Sequence, residues 1–153
     1  DNMCCFVRPG VVALHWEAAE QDPAQHERSA AAEEYLLQQT DARGRALRVV
    51  RVWAPRDLRR RPDECPEPPG IEKGLDRRDD EALPGSYINF YIAGGSGIIV
   101  PQFGDAERDA AALATLGKEF PDHRVVPVPN ARDLLVGGGN IHCITKQQPI
   151  APS

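Results

Sequence analysis

The 153-residue sequence predicts an α+β fold built from a repeated unit of strand, turn, strand, helix and strand. Three observations predict it. The unit occurs twice, once on each side of a proline-rich stretch. In both copies short apolar runs are separated by Pro-Gly or Gly-rich turns, and an aspartate stands at the head of a helix-forming segment. After the second copy a further apolar segment reads as the opening strand of a third. A unit of this kind leaves a sheet face and its edges uncovered, so several should pack side by side around an axis. This chain would supply two units and the start of another.

The elements follow in order. Met3 to Val7 is a short apolar run, Pro9-Gly10 is a turn, and Val11 to Trp16 is a second run, so the two make a hairpin. Asp22-Pro23 marks a helix start, with Asp22 as N-cap and Gln25 at the capping-box position. Ala24 to about Gln39 is rich in Ala, Glu, Gln and Leu, and Gly44 can take a left-handed cap. Leu47 to Trp53 is the next strand. Six prolines between Ala54 and Gly85 exclude long helices and central strands, so this stretch reads as a loop insertion. Order resumes with a strand over Ser86 to Ala93, a turn at Gly94 to Gly97, and a strand over Ile98 to Phe103. Asp105 caps a helix from about Ala106 to Glu119, with Leu113, Leu116 and Phe120 on a core face. Val125, Val126 and Val128 form another strand, and Asn130 caps a short helix over Ala131 to Leu135.

Composition narrows the function classes. A hydrophobic fraction of 41% with 27% charged residues describes a globular chain, and a net charge of −5 argues against nucleic acid as the main partner. The basic group Arg56, Arg59, Arg60 and Arg61 runs directly into Asp63 and Glu64, which reads as a solvated loop. No apolar run approaches the roughly 20 residues of a membrane span. The four cysteines, Cys4, Cys5, Cys65 and Cys143, include no Cys-x-x-Cys pair, so neither zinc nor a disulfide framework is expected and a reducing cytoplasm fits better. The chain opens on Asp1-Asn2-Met3 immediately before an apolar strand, which reads as a piece of a larger or processed protein.

The segment that carries chemistry is Gly137-Gly138-Gly139-Asn140-Ile141-His142-Cys143-Ile144-Thr145. Three glycines bare the backbone, so a ligand or another chain segment can approach closely. The following residues alternate as a strand would, Cys143 on one face and His142 on the other. A thiol held just past a bare turn is a candidate nucleophile, although the residue types alone also fit a small buried cysteine in a core strand. His142 should point away from Cys143. His15, His26 and His123 read as structural or solvent-facing. Asn140 could orient the glycine loop or touch a substrate, and Asn89, Phe90 and Tyr91 read as core, with a place in the pocket as the alternative.

Four segments extend the argument: Asp1 to Val12, Ser86-Tyr87-Ile88-Asn89-Phe90-Tyr91-Ile92, Val100-Pro101-Gln102-Phe103-Gly104-Asp105, and Gly137 to Pro149. Through them the chain resembles the agmatine deiminase family, within the peptidyl-arginine-deiminase-like group of guanidine-modifying enzymes. The resemblance implies a pentein fold, an α/β propeller of ββαβ modules around a pseudo-fivefold axis, of which residues 1–153 would be the C-terminal part. It implies hydrolysis of the agmatine guanidinium to N-carbamoylputrescine and ammonia, on a route toward putrescine, with no metal or organic cofactor. It also suggests a cytoplasmic homodimer.

Matched position by position, Cys143 takes the place of the family's nucleophile. Asp1 takes that of the aspartate in a His-x-Asp motif that holds guanidinium nitrogens, and, read from residue type and not from the match, Asn140, Gly138 and Gly139 are the further candidate substrate-binding positions. The acid/base histidine of that motif would stand two residues before Asp1, outside these residues, so the 153-residue piece is expected to be inactive. Lys146 stands where the family usually has Gln. Two rivals remain: a deiminase of peptidyl or free arginine, and a non-catalytic remnant that serves only as an interaction module.

Overall fold

A computed structural model describes residues 2–64 and 81–148. The described residues form β1 (Cys4–Arg8), β2 (Val11–Trp16), α1 (Pro23–Leu37), β3 (Arg48–Trp53), a 3-10 turn (Pro62–Glu64), β4 (Tyr91–Ala93), β5 (Gly97–Pro101), α2 (Ala106–Glu119), β6 (Arg124–Val128) and α3 (Arg132–Val136). The strands make two three-stranded sheets, ordered β1-β2-β3 and β4-β5-β6. Each sheet has the same mixed topology. Its first two strands are an antiparallel hairpin, and the third joins in parallel after a helical crossover. The described part is therefore α+β, with the ββαβ pattern present on both sides of the proline-rich stretch.

Local chemistry explains the elements. Val11–Trp16 is buried along its whole length, which suits a run that is apolar except for His15 in the central strand of its sheet. Asp22 accepts from the Gln25 backbone N–H at 2.9 Å and Pro23 opens the helix without losing a bond. Only half of a capping box forms, because the Gln25 side chain turns to Met3 and Arg28 instead. Asp105 caps α2 in the same way, accepting from Arg108 N at 3.2 Å. One continuous core runs through both sheets. It includes Val11, Ala13 and Val52 from the first, Ile98 and Val100 from the second, and Leu116 and Phe120 from α2, which packs on both β3 and β6. Glu119 at the end of α2 accepts from Arg8 at 2.8 Å and from Arg48, so an ion-pair fork also links the two sheets. α1 lies on β2 and β3 and leaves Tyr35 and Leu37 exposed.

The described flanks of the proline-rich stretch are pinned down. Arg56 makes two 2.8 Å bonds to Asp105 and one to Glu107, Glu64 accepts from Arg132 at 2.6 and 2.8 Å, and Leu58 O accepts from Leu83 N. Residues 65–80, with Cys65 and the middle of that stretch, lie outside the described residues.

Four expectations need correction. The segment carrying Cys143 is a turn over residues 141–144 and not a strand, so the opening strand of a third unit is not formed there. Its polar backbone is satisfied without a sheet partner, since Ile144 N donates to Asn140 O and Thr145 N to His142 O. Only Tyr91–Ala93 of the expected strand over Ser86 to Ala93 pairs, because Asn89 N turns back to Ser86 O at 3.2 Å. Gly44, at φ +75, closes a turn on Asp41 several residues beyond the end of α1 and is not its cap. Asn130 adopts φ +58 and gives its carbonyl to Asp133 N, so α3 starts at Arg132 without a side-chain cap.

Candidate active site

The glycine segment grows out of the end of α3. Gly137 N and Gly138 N bond back to Leu134 O and Leu135 O, and Gly138, at φ +105, swings the chain out of helical geometry. Gly139 is needed for space: a Cβ there would sit 2.9 Å from the Cβ of Cys143. Asn140 is buried, its Nδ2 donating to Ala131 O at 3.2 Å and its Oδ1 accepting from Ile141 N at 2.8 Å. Both polar ends of Asn140 are thus spent on backbone, which fits loop orientation. Ile141 is buried and anchors the turn, while His142, Cys143, Ile144 and Thr145 are exposed.

The thiol of Cys143 meets Asn89, a side chain that the sequence places in the core with a pocket position as the alternative. Asn89 is fully buried, and its Nδ2 lies 3.2 Å from Cys143 Sγ and 2.7 Å from Asn2 Oδ1. Its Oδ1 accepts from His142 N at 2.8 Å. Hydrogen bonds from the Asn140 backbone and from Asn89 hold the Cys143 thiol below its ordinary pKa, favouring the thiolate. Cys5 behaves in the opposite way: burial pushes its thiol up to about 11, and Sγ points at Ile88 O. The signal that could have revealed Asn89 is its place inside the apolar run Tyr87 to Tyr91, since a buried amide must find partners.

Asp1 lies outside the described residues. Its neighbour Asn2 donates to Pro84 O at 3.4 Å and accepts from Asn89, so the start of β1 is joined to the Cys143 turn by one buried amide. Two concavities flank this junction. One, of about 390 Å³, includes Asn2, His15, Glu17 and Ser86 in its wall. The other, of about 350 Å³, includes Cys5, Phe6, Ile88, His142 and Lys146. His15 is buried against Ser86 Oγ at 3.2 Å, and burial lowers its pKa to about 4, partly opposed by Asp22. Burial raises the Glu17 carboxyl, opposed by the Ala18 N–H. His26 bonds to Glu17 O and His123 stacks on Phe120. No helix among the described residues is long and apolar enough to cross a membrane.

The site is thus a cysteine whose thiol is held below its ordinary pKa, beside a bare glycine turn in a mixed α+β sheet pair. Residues 1–149 match the family model for Porphyromonas-type peptidyl-arginine deiminase, and the chain belongs to this family. Among its relatives, an agmatine deiminase of Medicago truncatula is 45% identical over 149 residues, covering 97% of this chain and 39% of the relative. An agmatine deiminase of Pseudomonas fluorescens is 46% identical over the same shares. The solved agmatine deiminase of Enterococcus faecalis superposes with a TM-score of 0.83 at 36% identity, covering 97% of this chain and 39% of that one. These likenesses bear out the resemblance read from the four segments. The chain spans 39% of the length of the curated relatives it matches.

Proposed function

We propose that this chain is the C-terminal part of an agmatine deiminase of pentein fold, with Cys143 as nucleophile and the stretch 54–85 as a loop insertion. The observation that carries the reading is the exposed thiol of Cys143, held below its ordinary pKa by hydrogen bonds from the Asn140 backbone and Asn89. A guanidinium carbon is a poor electrophile because its charge is delocalised, so attack requires an oriented and desolvated cation. Asp1 holds guanidinium nitrogens by charge-assisted hydrogen bonds. The exposed turn, opened by Gly138 and Gly139, lets the flat cation reach the sulfur.

The thiolate forms a C–S bond to the guanidinium carbon. The departing nitrogen takes a proton and leaves as ammonia, giving an amidino-cysteine. Water then attacks the same carbon, the C–S bond breaks, and the thiolate is regenerated as N-carbamoylputrescine leaves. The acid/base histidine comes from outside the 153 residues, so this polypeptide alone does not turn over. No metal or organic cofactor takes part in this scheme. The product is a carbamoyl amine on the way to putrescine, and the whole protein works as a cytoplasmic homodimer.

The test is ammonia release by the whole-length protein on agmatine and on arginine. Agmatine should be preferred, and Cys143→Ser should lower kcat by at least ~10³-fold. A preference for arginine would redirect the reading to arginine deimination, and an unimpaired Cys143→Ser protein would remove it.

A further inference from the structure

We propose that Asn89 is a further catalytic residue, whose side-chain N–H donates to the Cys143 sulfur as the thiolate forms and whose second N–H ties that sulfur to the start of β1. The inference rests on the reading of Cys143 as the nucleophile. Its geometric basis is the three-way junction of Asn89 with Cys143 Sγ, Asn2 Oδ1 and His142 N.

An amide can be placed either way round, so its orientation must come from its partners. Here two fixed backbone groups decide it independently. The His142 backbone N–H can only donate, and it is shared between the Asn89 side-chain oxygen at 2.8 Å and the Asn89 backbone carbonyl at 3.3 Å, so the side-chain oxygen and not the nitrogen faces it. At the other side the Pro84 carbonyl can only accept, so the Asn2 nitrogen faces Pro84 and the Asn2 oxygen faces Asn89. Both constraints turn the Asn89 nitrogen toward the sulfur. One of its two hydrogens satisfies Asn2, and the other points at Sγ.

Asn89 is fully buried, so that second hydrogen has no solvent to fall back on. A neutral thiol is a weak acceptor, whereas a thiolate is a strong one. The site therefore gains more from this bond when the sulfur is ionised. The bond is used at two points, when the thiolate is readied for attack and when it is expelled as the C–S bond breaks. Among the described residues the titratable groups around it are His142 on the same turn, Lys146 just past that turn, and Cys5 on β1, which shares a cleft with both, and the chain's amino-terminal charge also lowers the thiol pKa. Asn89 donates to Cys143 without a titration of its own. Its bond to Asn2 also fixes the sulfur relative to the residue that follows Asp1.

The experiment is a pH–rate profile of Cys143 alkylation by iodoacetamide, quantified on the peptide containing Cys143, for the protein and its Asn89→Leu variant. Leucine has similar volume and no donor. The midpoint should rise by about one pH unit in the variant. Below it the rate should fall only about threefold, because tenfold loss of thiolate is offset by the greater nucleophilicity of a more basic sulfur. A folded variant with the original midpoint overturns the proposal. Should Asn89→Leu fail to fold, the side-chain amide resonances of Asn89 in the unaltered protein decide. They should titrate with the alkylation midpoint and stop doing so in Cys143→Ala, and amide resonances insensitive to thiol ionisation overturn the proposal. Because the readout is the thiol and not turnover, an active Cys143→Ser protein would defeat the nucleophile reading without moving this midpoint, and an unmoved midpoint would defeat the Asn89 reading alone.

Discussion

Replacing Gly139 with alanine should disable the nucleophile while barely touching the fold. The added methyl would lie 2.9 Å from Cys143 Cβ and 3.5 Å from its Sγ. Ordinary carbon–carbon contact begins at 3.4 Å, so the turn must move by at least about half an ångström. The turn is exposed beyond Ile141 and can yield, so the strain is relieved by displacement. Alanine also restricts the unfolded chain, which returns about 0.4–1 kcal/mol. Net stability should change by less than about 1 kcal/mol. The displaced atom, however, carries the reacting sulfur and receives the Asn89 hydrogen bond. A misplacement of about 1 Å can cost ~10²-fold in rate, so a shift of half that predicts a roughly tenfold loss of kcat on agmatine in the whole-length protein. Gly138→Ala perturbs the same opening by a different route. Nothing lies within 4 Å of its added methyl, but φ is +105, so its cost of about 1–2 kcal/mol falls on the backbone and shows in the melting temperature. Steady-state turnover and thermal melts on the two variants separate the effects. If Gly139→Ala keeps full kcat, the close approach of residue 139 to Cys143 plays no part in placing the sulfur.

Acid should destabilise the fold through His15, which is neutral when buried and charged when unfolded. This contribution, about 3 kcal/mol, is complete above pH 6.5 and is lost as pH falls to about 4, so His15→Gln should show a flatter loss of stability over that window in denaturant melts. An equally steep loss in the variant would refute it. Leu116→Ala should cost about 2–5 kcal/mol in the same assay, because Leu116 is fully buried between the two sheets. Glu119→Gln should cost only about 1 kcal/mol and lose most of that difference at high salt, since Arg8 and Arg48 are 47% and 51% exposed.

The ββαβ pattern was legible because it rests on local signals. Asp22 and Asp105 are caps one can read from residue type, and the apolar runs of β2 and β5 set the sheet centres. Alternation failed at Cys143 for a physical reason. Ile141, Cys143 and Thr145 carry the spacing of a strand, but strand formation needs a partner ladder, and here Asn89 and Asn140 supply the hydrogen bonds that close a turn. The same kind of long-range bond hid Asn89. Nothing local distinguishes an amide that fills a core from one that reaches a thiol 54 positions away. Asn130 and Gly44 do punctuate the chain, but each sits in a turn and caps no helix, since left-handed backbone serves turns as readily as helix caps.

The most direct measurement of the central claim is the mass of the peptide containing Cys143 after rapid acid quench of the whole-length protein turning over agmatine. A covalent sulfur adduct equal to agmatine less ammonia should accumulate transiently on Cys143 and be absent from Cys143→Ser. Turnover at the normal rate with an unmodified Cys143 at every quench time, and undiminished in Cys143→Ser, would contradict it.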